Sequence, residues 1–357
     1  MPRTLWANER ACILDFTDDF FKIYHFEPDS YSLLWRKQFD IVLNQNNISE
    51  NIIEWIDAGS KIELKSFNDI LSIIAHEKDI IRIIFDAYFS ENYSLIQKYL
   101  KEPHLILIVP MNWETEVNKV LSETIEQVFK RKTDICTQAI PLFCHAVDIE
   151  KKDNKTIMIK KMLKDAFSTH CYYKYRIERT KDEITVNFLG WKYSNDNAIK
   201  NSYDCVYITE SDTNESPEVS GLFKLMKYLQ QDNAPRMSFK LNPVLGINHD
   251  QTFRVMIHPN DALQSKTSHY YQTINDESLV DIPVAAQLDN EMEADFCLPR
   301  IQIRHNKVIN RNSSICVSMC KVSRRKILIK LQLNDNKSLI DKNMEYSFMM
   351  KYPSLFY

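Results

Sequence analysis

The chain has very little glycine. Its 357 residues include only 4 glycines, which are Gly59, Gly190, Gly221 and Gly246. At an average usage of about 7%, a chain of this length would carry roughly 25. Glycine lets backbone N–H groups close around a phosphate without a steric clash, and phosphate-binding loops depend on this freedom. Neither GxxxxGK[ST] nor GxGxxG occurs, so the sequence excludes P-loop and Rossmann-type nucleotide binding.

Three further absences narrow the protein class. The 8 cysteines form no CxxC pair and no histidine lies at ligand spacing from Cys316 or Cys320, so we assign no metal and expect buried thiols. No apolar run approaches the roughly 18 residues of a membrane helix, and MPRTLWANER at the start has no apolar signal core. The net charge of −3 gives no general attraction to nucleic acid or anionic membrane. We therefore predict a soluble, cytoplasmic protein.

What is present up to about residue 150 is a mixture of strand and helix patterns. Apolar period-two stretches predict strands, and apolar residues at helical spacing predict helices. The predicted strands lie over residues 11–15, 20–26, 31–42 and 105–109 (LILIV), with a short one near 134–136. The predicted helices run from Ser66 to Phe85, over 93–100, over 112–132 and from near Pro141. The third of these helices has Asn112 as its N-cap and Glu114 and Glu116 in its first turn.

The second part of the chain changes character near residue 238. Before that point we predict a helical piece over residues 157–167, a hairpin at 175–177 and 184–188, a strand over 204–208, and a helix starting at Pro217 with Ser216 as N-cap. After it, period-two stretches at 253–257, 301–303, 315–319 and 327–333 have no long helix between them. These stretches predict a separate β-rich domain, built as a small sandwich.

The order of these elements resembles the Hsp70 branch of the actin-like ATPase superfamily. In that resemblance, the strand before Asp15 corresponds to the family's first phosphate-loop strand. Residues 105–110 (LILIVP) are similar to the strand before its "VPA-aromatic-F" turn, and 139–144 (AIPLFC) to its "NEPTAAAL" segment. Residues 204–229 are similar to the strand, adenosine loop and helix near the end of the ATPase domain. The resemblance covers about residues 1–245.

The positions that carry ATPase chemistry in this family depart from its pattern. The first loop, Asp-x-Gly-Thr-Thr in the family, is here Asp15-Phe16-Thr17-Asp18-Asp19, which adds carboxylates where phosphates would lie. Ile140 stands in place of the expected glutamate and cannot position water or a metal. The second phosphate loop has no counterpart, and the glycines of the adenosine loop are replaced by a stretch that includes Glu210 and Asp212. Without a ligand, Asp15 is expected to be a capping or solvated carboxylate.

The resemblance therefore implies an α/β fold with actin-like (ribonuclease H-like) lobes, whose second lobe is trimmed. Residues 1–240 are expected to form a degenerate nucleotide-binding-type domain, with lobe I over about 1–150 and lobe II over about 151–240. Residues 241–357 are expected to form the β-rich domain, similar to the family's substrate-binding sandwich. We predict a pseudo-ATPase without catalytic residues, cofactor or metal. Its expected role is protein interaction, as a chaperone-like, assembly or scaffold module, with the partner bound through the β-rich domain.

Two other functions stay open at this stage. One is an enzyme that uses a divalent metal, or binds nucleotide weakly, through acidic loops that both follow strand ends; its candidates are Asp15, Asp18, Asp19, Glu210, Asp212 and His145. The other is an actin-like structural subunit that polymerises. The sequence identifies neither the partner nor the oligomeric state.

Overall fold

The three-dimensional structure is a computed structural model of the whole chain. The residues that it describes are 10–43, 62–64, 78–111, 113, 115–149, 154–162, 170–194, 204–208, 216–231, 233–249, 252–258, 260–273, 276–282, 284–286, 301–309, 311–335 and 338–347. Over these residues the fold is mixed α/β, with helices and several sheets that contain both parallel and antiparallel strands. The chain divides into two compact units. One contains the described residues of Met1–Ile149 and Glu210–Ala234, and the other those of Glu150–Thr209 and Pro235–Phe348.

The first unit contains all the helices among the described residues. Its elements are β1 (Ala11–Asp15), β2 (Phe20–Phe26), β3 (Tyr31–Gln38), β4 (Ile41–Leu43), β5 (Ile62–Leu64), α1 (Lys78–Glu91), α2 (Tyr93–Tyr99), β6 (His104–Val109), α3 (Thr115–Phe129), β7 (Lys132–Thr137), α4 (Ala139–Ala146) and α5 (Pro217–Gln230). Five of the strands form one sheet in the order β3-β2-β1-β6-β7, and β4 pairs with β5 separately. Strand β2 is antiparallel to β1 and β3, whereas β6 is parallel to both β1 and β7.

Alternate residues of β1 explain how this sheet is covered on both faces. Cys12 and Leu14, together with Phe16 just after the strand, belong to the hydrophobic core that includes residues of α1, α2 and α3. The opposite face carries Phe26 of β2, whose ring centroid lies 5.4 Å from that of Phe223 in α5. Because successive strand residues point to opposite faces, Asp15 lies on the second face and not in the hydrophobic core below α1 and α3.

Helices α4 and α5 pack closely at Gly221. A Cβ atom added to this glycine would lie 1.8 Å from the carbonyl oxygen of Pro141 and 2.8 Å from the backbone nitrogen of His145. Only glycine allows the two helix backbones to approach this closely. The contact fixes α5 against α4, and thereby fixes the N-terminus of α5 near the end of β1.

The second unit consists of strands over its described residues. They are β8 (Lys155–Met162), β9 (His170–Arg179), β10 (Glu183–Ser194), β11 (Asp204–Ile208), β12 (Arg236–Leu241), β13 (Leu245–His249), β14 (Thr252–Ile257), β15 (Lys266–Gln272), β16 (Glu277–Ile282), β17 (Val284–Ala286), β18 (Ile301–Ile309), β19 (Ser314–Ser323), β20 (Lys326–Asp335) and β21 (Ser338–Ser347). The sheets have the orders β11-β8-β9-β10-β12, β14-β13-β17, β15-β19-β20-β21 and β16-β18.

The first sheet of each unit contains the same four-strand arrangement. In the second unit β8, β9 and β10 are successive antiparallel neighbours, and β11 lies parallel to β8 on its other side. Strands β1, β2, β3 and β6 of the first unit have the same order and the same directions. The fifth strand differs, since β7 extends the first sheet beside β6 while β12 pairs in parallel with β10 at the opposite edge.

Most of the predicted elements that lie within the described residues are confirmed. These include the strands at 11–15, 20–26, 105–109 and 204–208, the hairpin of β9 and β10, and the helix at Pro217 with Ser216 as its N-cap. The predicted starts of two helices, at Ser66 and at Asn112 and Glu114, lie outside the described residues. The division at residue 240 and the sandwich stay predictions.

Three predicted elements were wrong in extent or type. The strand predicted over 31–42 ends at Gln38, and Ile41–Leu43 forms a separate strand, β4, which pairs with β5. The helix predicted to reach residue 132 ends at Phe129, because Lys130 takes a φ of 55° and Lys132 starts β7. The helical piece predicted over 157–167 begins instead as strand β8, which ends at Met162. Its residues Ile157, Met158 and Ile159 are all buried. A strand covered on both faces has no period-two pattern, and sequence alone cannot distinguish it from a buried helix.

Candidate functional site

The end of β1 brings a carboxylate opposite an ammonium group. Asp15, the last residue of β1, is paired in register with Lys22 of β2 and with Ile108 of β6. Residues directly opposite each other in neighbouring strands present their side chains on the same face of the sheet. Asp15 is fully buried and Lys22 is 7% exposed, so both charged groups lie inside the protein.

Asp15 closes the turn that follows its strand. Its Oδ1 accepts hydrogen bonds from the backbone N–H of Thr17 at 3.0 Å and from the Thr17 hydroxyl at 2.7 Å. This is the local capping that aspartate provides in turns, and it occupies one of the two carboxylate oxygens. Of the two roles expected for Asp15 without a ligand, its hydrogen bonds agree with a capping carboxylate, and its complete burial disagrees with a solvated one.

Asp18 forms a second small turn and pairs with Lys22. Its Oδ1 accepts a hydrogen bond from the backbone N–H of Phe20 at 2.7 Å, and its Oδ2 accepts one from the Lys22 ammonium. The Asp18 side chain is 19% exposed. Asp19 is partly exposed, and its carbonyl oxygen accepts a hydrogen bond from the backbone N–H of Phe39 at 2.9 Å.

The N-terminus of α5 adds a third carboxylate from a distant part of the chain. The Ser216 hydroxyl caps the helix by accepting from the Val219 N–H at 3.4 Å and donates to Glu218 Oε2 at 3.1 Å. Glu218 is fully buried, and its Oε1 accepts from the Gln138 amide at 3.5 Å. Gln138 in turn accepts from the Met111 N–H at 3.1 Å. A carboxylate at this position is favoured by the positive end of the helix dipole.

We call Asp15, Asp18, Lys22 and Glu218 the strand-end cluster. Burial raises the pKa of Asp15, Lys22 lowers it, and Glu218 and Asp18 raise it further, with a net upward shift. Burial alone would lower the pKa of Lys22, but the attraction of the three carboxylates outweighs it and raises that pKa. Burial also raises the pKa of Tyr24, and the charge of Asp15 adds to the rise, so this phenol stays neutral at physiological pH.

The positively charged groups of the cluster are paired with carboxylates of the chain itself. A helix N-terminus and a buried ammonium group are the two features from which proteins build anion sites. Here Glu218 occupies the helix N-terminus and Asp18 occupies the ammonium of Lys22. Carboxylates of the chain itself thus interact with both of these positive groups.

The structure brings some of the sequence candidates together and not others. Asp15, Thr17 and Asp18 meet in one corner, with Asp19 beside them. Ile140, the second residue of α4, is buried and contributes only apolar surface. Glu210 and Asp212 lie outside the described residues. His145 accepts a hydrogen bond from the Lys224 ammonium through its carbonyl oxygen, at 2.9 Å.

Sequence reasoning missed Lys22, Gln138 and Glu218. Lys22 had a detectable signal, since it stands at an inward position of the alternating strand FFKIYHF. Glu218 had only the weak signal of an acidic residue in a first helical turn. Over the part of the chain that the structure describes, no group of three or more His, Cys, Asp or Glu side chains is arranged to hold a metal ion. No helix of that part is long and apolar enough to cross a membrane.

No model of a protein family matches this chain, and no curated protein matches it. The resemblance to the Hsp70 branch of the actin-like superfamily therefore rests on the order of elements and on the residues named above.

Proposed function

We propose that the chain is a non-catalytic, Hsp70-like pseudo-ATPase that acts by binding other proteins, as a chaperone-like, assembly or scaffold module. The observation that carries this proposal is the strand-end cluster. The corner in which the related ATPases would hold phosphate is here closed by the Asp15–Thr17 turn and by the Asp18–Lys22 pair. A fold kept without its ligand chemistry is expected to serve as a binding platform.

The repeated four-strand arrangement supports the two-lobed, actin-like part of the proposal. Two sheets with the same order and the same strand directions are expected if one lobe resembles the other. The displaced fifth strand, β12, fits a trimmed second lobe. The strands after residue 241 are the proposed β-rich domain, and we propose that its loops and strand edges carry the partner surface.

Electrostatics argue against a bound triphosphate at the end of β1. Two like charges about 4 Å apart repel by about 4 kcal/mol at an effective dielectric constant of about 20. Even with Asp15 protonated, a triphosphate here would meet the carboxylates of Asp18 and Glu218 against the single ammonium of Lys22. Since Glu218 is fully buried and the Asp18 side chain is 19% exposed, water screens these charges poorly.

Titration calorimetry with Mg-ATP tests the nucleotide half of the proposal. The full chain is expected to give no binding heat, while circular dichroism verifies that it is folded. A matched titration with the Asp18→Asn variant separates the effect of repulsion from the loss of the loop glycines. Micromolar binding of ATP by the wild-type chain, with a binding heat that disappears when ADP competes, would refute the pseudo-ATPase hypothesis.

The proposed protein-binding role is tested by a search for a partner. Quantitative affinity purification of the full chain from native lysate should recover one or more proteins at stoichiometric yield, with Asp29→Asn as a surface-charge control. Failure to recover any partner would contradict the scaffold role.

Thermal melts with and without Mg²⁺ or Ca²⁺ test the metal-dependent alternative, for which a stabilisation of several degrees that EDTA reverses is the positive result. Sedimentation tests the polymerising alternative.

A further inference from the structure

We propose that the strand-end cluster binds one proton at neutral pH, that Asp15 carries it, and that this proton holds the N-terminus of α5 against the end of β1. The cluster then acts as a proton-operated contact between two elements of the first unit. The proposal rests on the burial of the cluster, on its charge balance and on its hydrogen bonds.

The charge balance requires a proton. With every group ionised, three carboxylates would face one ammonium, and Asp15 and Glu218 are each fully buried. An uncompensated buried charge costs several kcal/mol even after the protein relaxes, so a buried group usually neutralises instead. Protonation of one carboxylate leaves two negative groups, one paired with Lys22 and one at the positive end of α5.

Hydrogen bonding identifies Asp15 as the group that carries the proton. Both oxygens of Asp18 accept hydrogen bonds, from the Phe20 N–H and from Lys22. Both oxygens of Glu218 also accept, from Gln138 and from Ser216. Asp15 differs, because its Oδ2 is buried and has no hydrogen-bond partner. A buried ionised oxygen without a donor costs more free energy than a protonated one, because only the ionised form leaves a charge unsatisfied.

The groups that face Asp15 come from three elements. Lys22 and Tyr24 lie on β2, Thr17 and Asp18 in the turn after β1, and Glu218 on α5. Lys22 and Thr17 favour the ionised form of Asp15, whereas burial, Glu218 and Asp18 favour the protonated form. Burial is the largest of these effects, so the pKa of Asp15 is raised above its ordinary value of 3.8.

The sign of the pH dependence follows from this upward shift. Between pH 3.8 and the higher folded pKa, the folded chain holds a proton that the unfolded chain has released. The contribution of Asp15 to stability is therefore fully present below the unfolded pKa and is lost as the pH rises through the folded pKa. When the proton leaves, Asp15 and Glu218 repel each other, and the first turn of α5 is expected to loosen.

Carbon-13 NMR of the aspartate carboxyl groups tests the proposal directly on the full chain, with the Asp15 signal assigned by its absence in the Asp15→Asn variant. We expect the Asp15 carboxyl shift to keep its protonated value up to neutral pH, with the signal of Asp29, which is almost fully exposed, as the reference in the same spectra. Hydrogen exchange of the Val219 and Ser220 amides, corrected for the intrinsic pH effect, should accelerate at least tenfold across the Asp15 transition. An Asp15 carboxyl whose shift has reached its ionised value at neutral pH would overturn the proposal.

The Asp15→Asn variant provides a second readout. Asparagine mimics the protonated side chain, so the denaturation midpoint of this variant should fall less with rising pH than that of the wild type, while Asp29→Asn should follow the wild type. Equal pH profiles for all three chains would also refute the proton site. If Asp15→Asn fails to fold, the wild-type NMR titration, assigned instead through backbone connectivity, still decides. The outcome is independent of whether the chain binds a protein partner.

Discussion

Two lysines of nearly equal burial respond to their surroundings in opposite ways. Lys22 in the first unit is 7% exposed, and Lys321 in the second is 5% exposed. The pKa of Lys22 is raised, because three carboxylates overcome the effect of burial. The pKa of Lys321 is lowered by burial, with Arg324 adding to the shift and Asp261 opposing it. Its ammonium donates to the neutral side-chain amide of Asn242.

The difference shows where each unit keeps its buried polar groups. The second unit spreads hydroxyl and amide groups along β10 and β12, where Ser238 lies 3.2 Å from Thr185 and Asn242 donates to Asn187 at 2.9 Å. Single charged groups join this network, since Glu183 accepts from Ser238 at 2.8 Å and Lys240 donates to Thr185 at 3.5 Å, so charge is spread along these strands. The first unit concentrates ionisable groups at the end of one strand. An arrangement of that kind can bind a proton or repel an anion, which is why we place the candidate site there.

The largest effect is expected when Lys22 is replaced by methionine. Lys22→Met removes the single ammonium of the strand-end cluster and leaves buried carboxylates without compensation, so we expect a loss of about 3 to 5 kcal/mol in the free energy of unfolding. Lys321→Met removes an ammonium that donates to a neutral amide and for which burial outweighs the attraction of Asp261, and we expect a change within about 1 kcal/mol. Urea denaturation at neutral pH measures both variants.

The two lysine variants also differ in the expected pH dependence. The Lys22 contribution is present below the ordinary lysine pKa of 10.5 and is lost only as the pH rises through the higher folded value. Lys321 has a lowered folded pKa, so its effect on stability becomes less unfavourable as the pH rises from that value towards 10.5. Equal losses for the two variants would remove the distinction between a charge cluster and a sheet with dispersed polar groups.

Much of the fold could be predicted from the sequence because its signals are local. The run LILIV fills the buried strand β6, and Ser216-Pro217 begins α5 as a helix start should. Local patterns failed where burial on both faces removed the periodicity, as in β8. They also could not show that β12 pairs with β10 while β7 pairs with β6, because that choice depends on contacts between distant segments.

The candidate site was predictable only in part, for the same reason. Asp15, Thr17 and Asp18 are neighbours in sequence, and a short motif could identify them. Glu218 is about 200 residues away along the chain. Gln138 lies two residues before Ile140, the position that the family resemblance singled out. The approach of Glu218 to Asp15 depends on the close packing of α4 against α5, which no local pattern encodes. The inward position of Lys22 opposite Asp15 could have been found by aligning β1 and β2 across their turn.

A smaller effect is expected at the helix contact that positions the cluster. Gly221→Ala places a methyl group against the Pro141 carbonyl, and we expect a loss of about 1 to 3 kcal/mol because two helix backbones must separate. Gly246→Ala in the second unit is the matched control, since its Cβ would lie 2.1 Å from the Arg254 carbonyl oxygen. Both variants should be less stable, but only Gly221→Ala should shift the Asp15 carboxyl signal. A shift in both, or in neither, would show that α4 and α5 do not set the cluster.

The smallest effect is expected at the surface of the same helix. Lys227 of α5 lies 2.6 Å from Asp29, whose side chain is 94% exposed. An ion pair in water gains little, so Lys227→Ala should change the free energy of unfolding by less than about 1 kcal/mol. Added salt should abolish even that difference, because an exposed pair is screened. The loss in Lys22→Met should instead persist in salt, since the buried cluster is poorly screened. Denaturation of both variants is measured at low and high salt, and a salt-insensitive Lys227→Ala loss would mean that packing of the Lys227 side chain, and not its charge, holds α5 in place.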